Sequence, residues 1–319
     1  MNYSKKNPLV TLAIFSFNHE KYIEECVASA LRSSYDNLEI IVSDDCSTDT
    51  TFQKIEKLIE EYEGPHEVII RQNSTNLGLI DHLFTVARMA KGELLVVTGG
   101  DDRVLSNRVT KLKEAWLETD AAALSSNHHE IDQNGDIIKK NASFKGSLPG
   151  FSAAYKTEIL ANLPFCHKSM YAEDGLIGAL LKVRGEKIYK LPDALVEYRI
   201  HEFSQTIRGT RFSKAAVLAN EEKIRVSALD LANRIKYLLQ NGYSADMEID
   251  GKFLTRISHD WICAEIQSTI WEKSFSQKAA MLQFGGDWRI SRFILPRLLG
   301  IRFFVFLKMS AILLSRWRK

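Results

Sequence analysis

Between Val10 and Asp102 short apolar runs alternate with stretches whose apolar residues recur every three or four positions, and few folds accept that pattern. The runs Val10–Phe15, Leu38–Val42 and Leu94–Val97 have the length and β-branched content of buried strands, and Val68–Ile70 reads as a further short strand. Between them, Tyr22, Ile23, Cys26, Val27, Ala30 and Leu31 trace one helical face. Phe52, Ile55, Leu58, Ile59 and Tyr62 trace a second, and Ile80, Leu83, Phe84 and Ala87 a third. Repeated strand-helix units predict an α/β domain with a mainly parallel, Rossmann-like sheet and helices on both faces. Two of the strands end in paired carboxylates, Ser43-Asp44-Asp45 and Gly99-Gly100-Asp101-Asp102. Ligands of open α/β sheets bind where strands finish, so both tips fall where chemistry is expected.

Further along, Ser106 or Asn107 can cap a helix whose Val109, Leu112 and Trp116 share a face. Ala121–Leu124 reads as a strand, Gln133-Asn134-Gly135-Asp136 as a hairpin turn, and Lys139–Pro149 as a loop crossing the surface. A weak helix is expected near Ser152–Ala161, a helical pattern through Leu176, Leu180 and Val183, and a strand over Ala194–Tyr198. From Arg211 the texture becomes long helical patterns. The predicted organisation is an α/β domain over residues 1–209, a helical domain over 210–286 and a basic amphipathic helix over 287–319.

An apolar fraction of 45% with 26% charged residues in 319 positions suits a globular chain able to bury a sizeable core. The four cysteines are far apart, with no CxxC pair and no zinc spacing, which predicts neither a disulfide framework nor a structural metal and favours a reducing compartment. The N-terminal apolar stretch reaches Ser16-Phe17-Asn18-His19 without a small-residue cleavage site, and reads as a first strand, not a signal peptide.

Strand tips on one sheet edge lie side by side, so Asp44-Asp45, Asp101-Asp102 and a later acidic pair, Glu173-Asp174, can converge. Converging carboxylates need a positive partner, and a hard divalent cation that prefers oxygen ligands, Mg²⁺ or Mn²⁺, answers that need together with substrate phosphates. Neither GxxxxGK[ST] nor GxGxxG follows a strand, which weighs against P-loop and dinucleotide-dehydrogenase readings. Taken singly, each acidic pair is also what a solvated turn, a helix N-cap or a first helical turn carries.

Several of these segments together resemble glycosyltransferase family 2, the inverting nucleotide-sugar transferases of GT-A fold. The family's opening strand and turn correspond to Leu12-Ala13-Ile14-Phe15-Ser16-Phe17-Asn18, and its EIIVVDDGSTDxT signature to Glu39-Ile40-Ile41-Val42-Ser43-Asp44-Asp45-Cys46-Ser47-Thr48-Asp49-Thr50. Its NxG loop is Asn76-Leu77-Gly78, its DxD-type motif Gly100-Asp101-Asp102, its ED motif Glu173-Asp174 and its R-x-H segment Arg199-Ile200-His201. Three departures stand out: Phe15 and Phe17 replace the usual Pro or Thr and Tyr, Cys46 replaces a common Gly, and Gly100 stands where many members carry the first aspartate.

The resemblance implies that Phe15, Phe17, Asp44, Asp45, Gly78 and Asp101 contact the nucleotide sugar, with Asp45 accepting the imide N–H of a uracil or thymine base. It implies that Asp102 binds the Mn²⁺ or Mg²⁺ that bridges the diphosphate, with His201 either a metal or phosphate contact or a structural histidine. It also implies that Asp174 is the general base, removing the acceptor hydroxyl's proton as that oxygen attacks the anomeric carbon with inversion.

Charge is uneven. After Asp287 there are eight basic residues and no acidic one, whereas the first 287 residues carry 34 basic and 40 acidic, a net of −6. In the tail Arg297, Arg302, Lys308, Arg316 and Lys319 gather on one helical arc, with Phe303, Phe304, Phe306, Ile312 and Leu313 over the rest. Its apolar runs fall short of the roughly 20 residues that span a bilayer, so the expectation is an interfacial helix on an anionic membrane surface. A helix docked on the protein, or a homo-oligomer interface, is the alternative for the same stretch. The expected partners are a UDP- or dTDP-sugar donor and a glycan acceptor, lipid-linked on the cytoplasmic face of a bacterial inner membrane; nothing calls for nucleic acid. Surface polysaccharide assembly (O-antigen, capsule or exopolysaccharide) is the expected setting. Competing readings are an inactive nucleotide-sugar-binding scaffold at the membrane and a sugar-phosphate nucleotidyltransferase, whose glycine-rich loop after the first strand is missing here.

Overall fold

The computed structural model describes residues 7–143, 148–162, 177, 178, 181 and 184–201. These fall in one compact unit, Met1–Lys168 with Ala172–Ser204. Its frame is a run of strand-helix units: β1 (Val10–Ser16), α1 (Ile23–Leu31), β2 (Leu38–Asp44), α2 (Thr51–Glu60), β3 (Glu67–Gln72), α3 (Leu79–Met89) and β4 (Leu94–Gly99). The short β5 (Arg103–Val104) and α4 (Arg108–Thr119) follow, then β6 (Ala123–Ile131), β7 (Ile137–Ala142), β8 (Ala153–Lys156), α5 (Thr157–Ala161) and β9 (Ile188–Arg199).

One nine-stranded sheet runs β3-β2-β1-β4-β8-β6-β9-β5, with β7 paired to β6. The β3-β2-β1-β4 half is parallel, as the alternating pattern predicts. Every residue of β1 and β2 is buried, because helices cover both faces and leave no polar side to alternate. On one face Val10, Leu12, Ile14, Leu38, Ile40 and Val42 share a core with Ile23, Cys26, Val27 and Ala30 of α1, Ile55 of α2, and Val109, Leu112 and Trp116 of α4. On the other, Phe15 and Ser43 meet His82 of α3.

Beyond β4 the sheet turns mixed. β8 inserts antiparallel between β4 and β6, and β6 pairs parallel with β9. Three expectations are corrected here. Ala153–Lys156, expected as helix, is strand, because Ala153, Ala154 and Tyr155 fill the buried slot between β4 and β6; only Thr157–Ala161 is helical. The strand expected at Ala121–Leu124 starts at Ala123 and continues to Ile131. Lys139–Ala142 belongs to β7 and not to a surface loop, since pairing with β6 across the Asp132–Asp136 turn extends the hairpin. Asn107 does occupy the α4 N-cap position, without a side-chain capping bond. The expected helical domain (210–286) and C-terminal helix (287–319) lie outside the described residues. Among the described residues no helix is long and apolar enough to cross a membrane.

Candidate active site

The parallel register sets the tips of β2 and β4 on either side of the end of β1, with Ser16 opposite Asp44 and Phe15 opposite Gly99. Both turns are bonded to that end: Asp45 N–H donates to the Ser16 carbonyl (2.9 Å) and Gly100 N–H to the Phe15 carbonyl (2.8 Å). Convergence of the two acidic tips is therefore a property of the backbone, before any side chain is placed.

The Asp44 carboxylate is wholly buried and serves the turn itself. Its Oδ1 accepts from Ser16 Oγ (2.9 Å) and Ser47 Oγ (2.5 Å), and its Oδ2 from Ser47 N (2.8 Å) and Gln72 Nε2 (2.9 Å). Asp45 reaches the next loop: Oδ1 accepts from Asn73 Nδ2 (2.7 Å) and Leu77 N (2.9 Å), Oδ2 from Gly78 N (2.9 Å). It thus caps the entrance to α3, whose N-cap is Gly78. The remainder of the signature braces the turn after β1. Asn18 N–H donates to Ser47 Oγ and His19 N–H to Thr51 Oγ1 (both 2.8 Å), while Asn18 Oδ1 accepts from Thr48 N (2.9 Å). Phe17 stands exposed at that turn, and Phe15 lies buried with its ring edge-on to His82, centroids 4.9 Å apart.

At the β4 tip the two aspartates part company. Asp102 is 1% exposed, and its Oδ1 accepts the Arg199 N–H of β9 (2.9 Å). Burial and the neighbouring Asp101 push its pKa well above the ordinary carboxylate value, against the Arg199 N–H and the charges of Arg108 and Arg199. Asp101 has an 18% exposed side chain; its Oδ2 lies 3.0 Å from His201 Nε2 and 3.9 Å from His19 Nε2. Burial opposes its ionisation, but the His201 hydrogen bond and the two imidazoles outweigh that and hold its pKa below the ordinary value.

Arg199 secures this arrangement. Its Nε donates to the Asp101 carbonyl (2.8 Å), Nη1 to the Asp132 carbonyl (3.1 Å) and Nη2 to Glu25 (2.5 Å), and its guanidinium lies over Tyr22, whose ring meets His201. Gly100 is closely packed: a Cβ there would lie 2.9 Å from His19 Nδ1, 3.0 Å from Ser16 Cβ and 3.1 Å from Ile23 Cδ1, so a larger residue requires those side chains to shift by a few tenths of an ångström.

Among the described residues no group of three or more His, Cys, Asp or Glu side chains is arranged to hold a metal ion. The Asp101–His201 pair, hydrogen-bonded here, has the spacing to hold one if His201 Nε2 gives up that hydrogen bond. Two ligands each about 2.0–2.1 Å from a Mg²⁺-sized ion and at right angles stand about 3 Å apart, and such ions complete their shell with waters and substrate phosphates. Of the expected site residues, the structure brings Phe15, Asp44, Asp45, Gly78, Asp101, Asp102 and His201 to one sheet edge, with Phe17 at its rim. Asp174 lies outside the described residues. No motif marks His19, Tyr22, Glu25, Arg71, Asn73 and His82, which support the site from helix faces, turns and strand β3.

Comparison with known proteins agrees with this geometry. Residues 11–174 match Glycosyl transferase family 2, and the chain belongs to that family. The putative teichuronic acid biosynthesis glycosyltransferase TuaG of Bacillus subtilis is 30% identical over 159 residues, 49% of this chain and 60% of that protein. Among solved structures, the mannosyltransferase PcManGT of Pyrobaculum calidifontis, in complex with GDP-Man and Mn²⁺, superposes with a TM-score of 0.57 at 17% identity, covering 97% of this chain and 86% of that one. S. aureus TarS 1–349 with UDP-GlcNAc gives 0.54 at 20% identity, covering 89% of each chain. These likenesses establish the GT-A fold. The chain spans 66%, 22% and 41% of the lengths of three further curated relatives.

Proposed function

We propose that the chain is a divalent-metal-dependent inverting glycosyltransferase that takes its sugar from a UDP- or dTDP-linked donor and passes it to a hydroxyl of a glycan acceptor. The observation that carries this reading is the joining of the Asp45 turn and the Asp101–His201 pair to opposite sides of one strand end. A nucleoside diphosphate laid across that end has its base at Asp45 and its phosphates at Asp101. TarS in complex with UDP-GlcNAc supports the uridine donor, and PcManGT in complex with Mn²⁺ supports the metal.

Asp45 holds the imide N–H of the base, Phe15 and Phe17 flank it, and Asp44 keeps the turn closed. Asp101 and His201 hold the metal, and Asp102 fixes their turn to β9; this gives Asp101 the ligand role that the resemblance suggested for Asp102. When bound, the metal neutralises negative charge on the departing diphosphate. Asp174 accepts the acceptor hydroxyl's proton, which leaves that oxygen free for a single in-line displacement and inverts the anomeric centre; a well-placed base contributes on the order of 10²–10⁴ in rate. TuaG's putative part in teichuronic acid biosynthesis supports a role in bacterial surface polysaccharide assembly. The basic tail supports attachment to the cytoplasmic face of an anionic membrane, next to a lipid-linked acceptor.

Mn²⁺-dependent donor hydrolysis distinguishes the two aspartates. Asp101→Asn and His201→Ala are expected to raise the Mn²⁺ requirement at least tenfold, with Asp102→Asn instead lowering thermal stability. A normal Mn²⁺ requirement in Asp101→Asn, with its loss in Asp102→Asn, would return the ligand role to Asp102.

A further inference from the structure

The base-binding carboxylate does not stand alone. From His82, one turn into α3, a continuous hydrogen-bonded chain runs to Asp45 through Ser43 of β2, Arg71 of β3 and Asn73 just after β3. His82 Nε2 lies 2.6 Å from Ser43 Oγ, and Ser43 Oγ accepts from Arg71 Nη1 (2.6 Å). Arg71 Nη2 donates to Asn73 Oδ1, and Asn73 Nδ2 donates to Asp45 Oδ1 (2.7 Å). His82, Ser43, Asn73 and Asp45 are all buried, so each link is made in a medium where a broken hydrogen bond is costly.

Arg71 is the donor at the centre of this chain. Ser43 Oγ accepts its guanidinium N–H and lies within hydrogen-bond distance of His82 Nε2, which accepts the Ser43 hydrogen when the neutral imidazole carries its proton on Nδ1. Burial keeps the imidazole neutral, with its pKa lowered to about 4. Arg71 thus donates both ways, to Ser43 on the His82 side and to Asn73 on the Asp45 side, and Asp45 accepts on both oxygens: from Asn73 and Leu77 N on one, from Gly78 N on the other.

We propose that His82, acting through Ser43, Arg71 and Asn73, is a specificity-determining positioning residue that orients Asp45 to read an N–H on the donor's pyrimidine. The inference rests on the uridine reading above. Uracil presents a ring N–H at that edge and cytosine a bare ring nitrogen, so a rigid acceptor-only carboxylate accepts one and repels the other. Without the Asn73 bond the carboxylate is held only by the Leu77 and Gly78 N–H groups, and its Oδ1 can turn away from the base, which weakens that repulsion.

The test is calorimetric: dissociation constants of UDP and of CDP, each with Mn²⁺, for the full chain and for His82→Phe, which keeps a flat ring against Phe15 and removes the acceptor nitrogen. The expected result is a UDP-over-CDP preference cut about tenfold, with Mn²⁺ affinity in the absence of nucleotide unchanged. Ser43→Ala should cut the preference comparably, and the double variant no further, since both break one chain. A merely structural role predicts weaker binding of both nucleotides with their ratio kept, and that result in folded His82→Phe overturns the proposal. Should His82→Phe not fold, Arg71→Gln at its half-buried position carries the same test, an unchanged ratio again overturning it. A wild-type chain without UDP preference defeats the uridine reading itself, and the proposal with it; a wild-type preference that survives in the variants defeats the proposal alone.

Discussion

Cys46 takes up a left-handed backbone, φ 64°, immediately after Asp45, the aspartate proposed to hold the base, where the family commonly has glycine. For an L-residue with a Cβ that conformation costs roughly 1–2 kcal/mol, partly offset in a glycine variant by the larger unfolded-state entropy. Cys46→Gly is therefore expected to raise the melting temperature by a degree or two, and Cys46→Val to lower it by more, in thermal denaturation followed by circular dichroism. At this scale the sequence was legible where a residue's role follows from its own chemistry and place: Asp45, at a strand tip, lies where the motif put it. The sequence was mute where the role depends on a distant partner. Asp101 and Asp102 are adjacent and identical, and what separates them is the Arg199 N–H, ninety-seven positions away, which captures Asp102 and leaves Asp101 to His201.

Among the elements, the tightest approach on the path to the site is between the turn before β4 and β1. Gly92 N–H donates to Thr11 Oγ1 (3.0 Å), and a Cβ at position 92 would lie 2.4 Å from Thr11 N and 2.6 Å from the Val10 carbonyl carbon. Backbone, unlike a side-chain tip, cannot turn aside. Gly92→Ala is expected to cost about 1–3 kcal/mol, as overpacking does, and to lower the urea midpoint. Because the displaced strand carries Asp101, Mn²⁺ affinity should fall with it. Of the four parallel strands, β1, β2 and β4 were legible because near-complete burial writes itself as unbroken apolar runs, whereas the part-exposed edge strand β3 shows only the short run Val68–Ile70. The antiparallel insertion β8 was not, because Ala153-Ala154-Tyr155 is as compatible with helix as with strand until the slot between β4 and β6 exists. β7 escaped for a related reason: its Ile137 and Ile138 are both exposed, so no two-residue alternation marks it.

For the whole molecule, two buried imidazoles set an acid limit. Burial lowers His82 to about 4, with Arg71 adding to the effect and Asp45 and Asp44 opposing it. Burial likewise lowers His128 to about 4, against Glu130. Both bind a proton more readily unfolded, near the ordinary histidine value of about 6.5. Their stabilisation is complete above that pH and is lost as pH falls towards 4, each at up to about 1.4 kcal/mol per pH unit. The urea midpoint should drop across this window, and His82→Phe should remove part of the slope.

The central claim is that one strand end carries both halves of a donor site, and its most direct measurement is a panel of nucleotide sugars incubated with the full chain, with and without Mn²⁺, with nucleotide release and the anomeric configuration of the product followed by NMR. The account predicts release of UDP or dTDP from one donor, only with the divalent ion, and a product of inverted configuration. Tight binding of nucleotide sugars with no release from any donor, in the presence of Mn²⁺ and varied acceptors, would contradict it and leave a binding scaffold on a transferase fold.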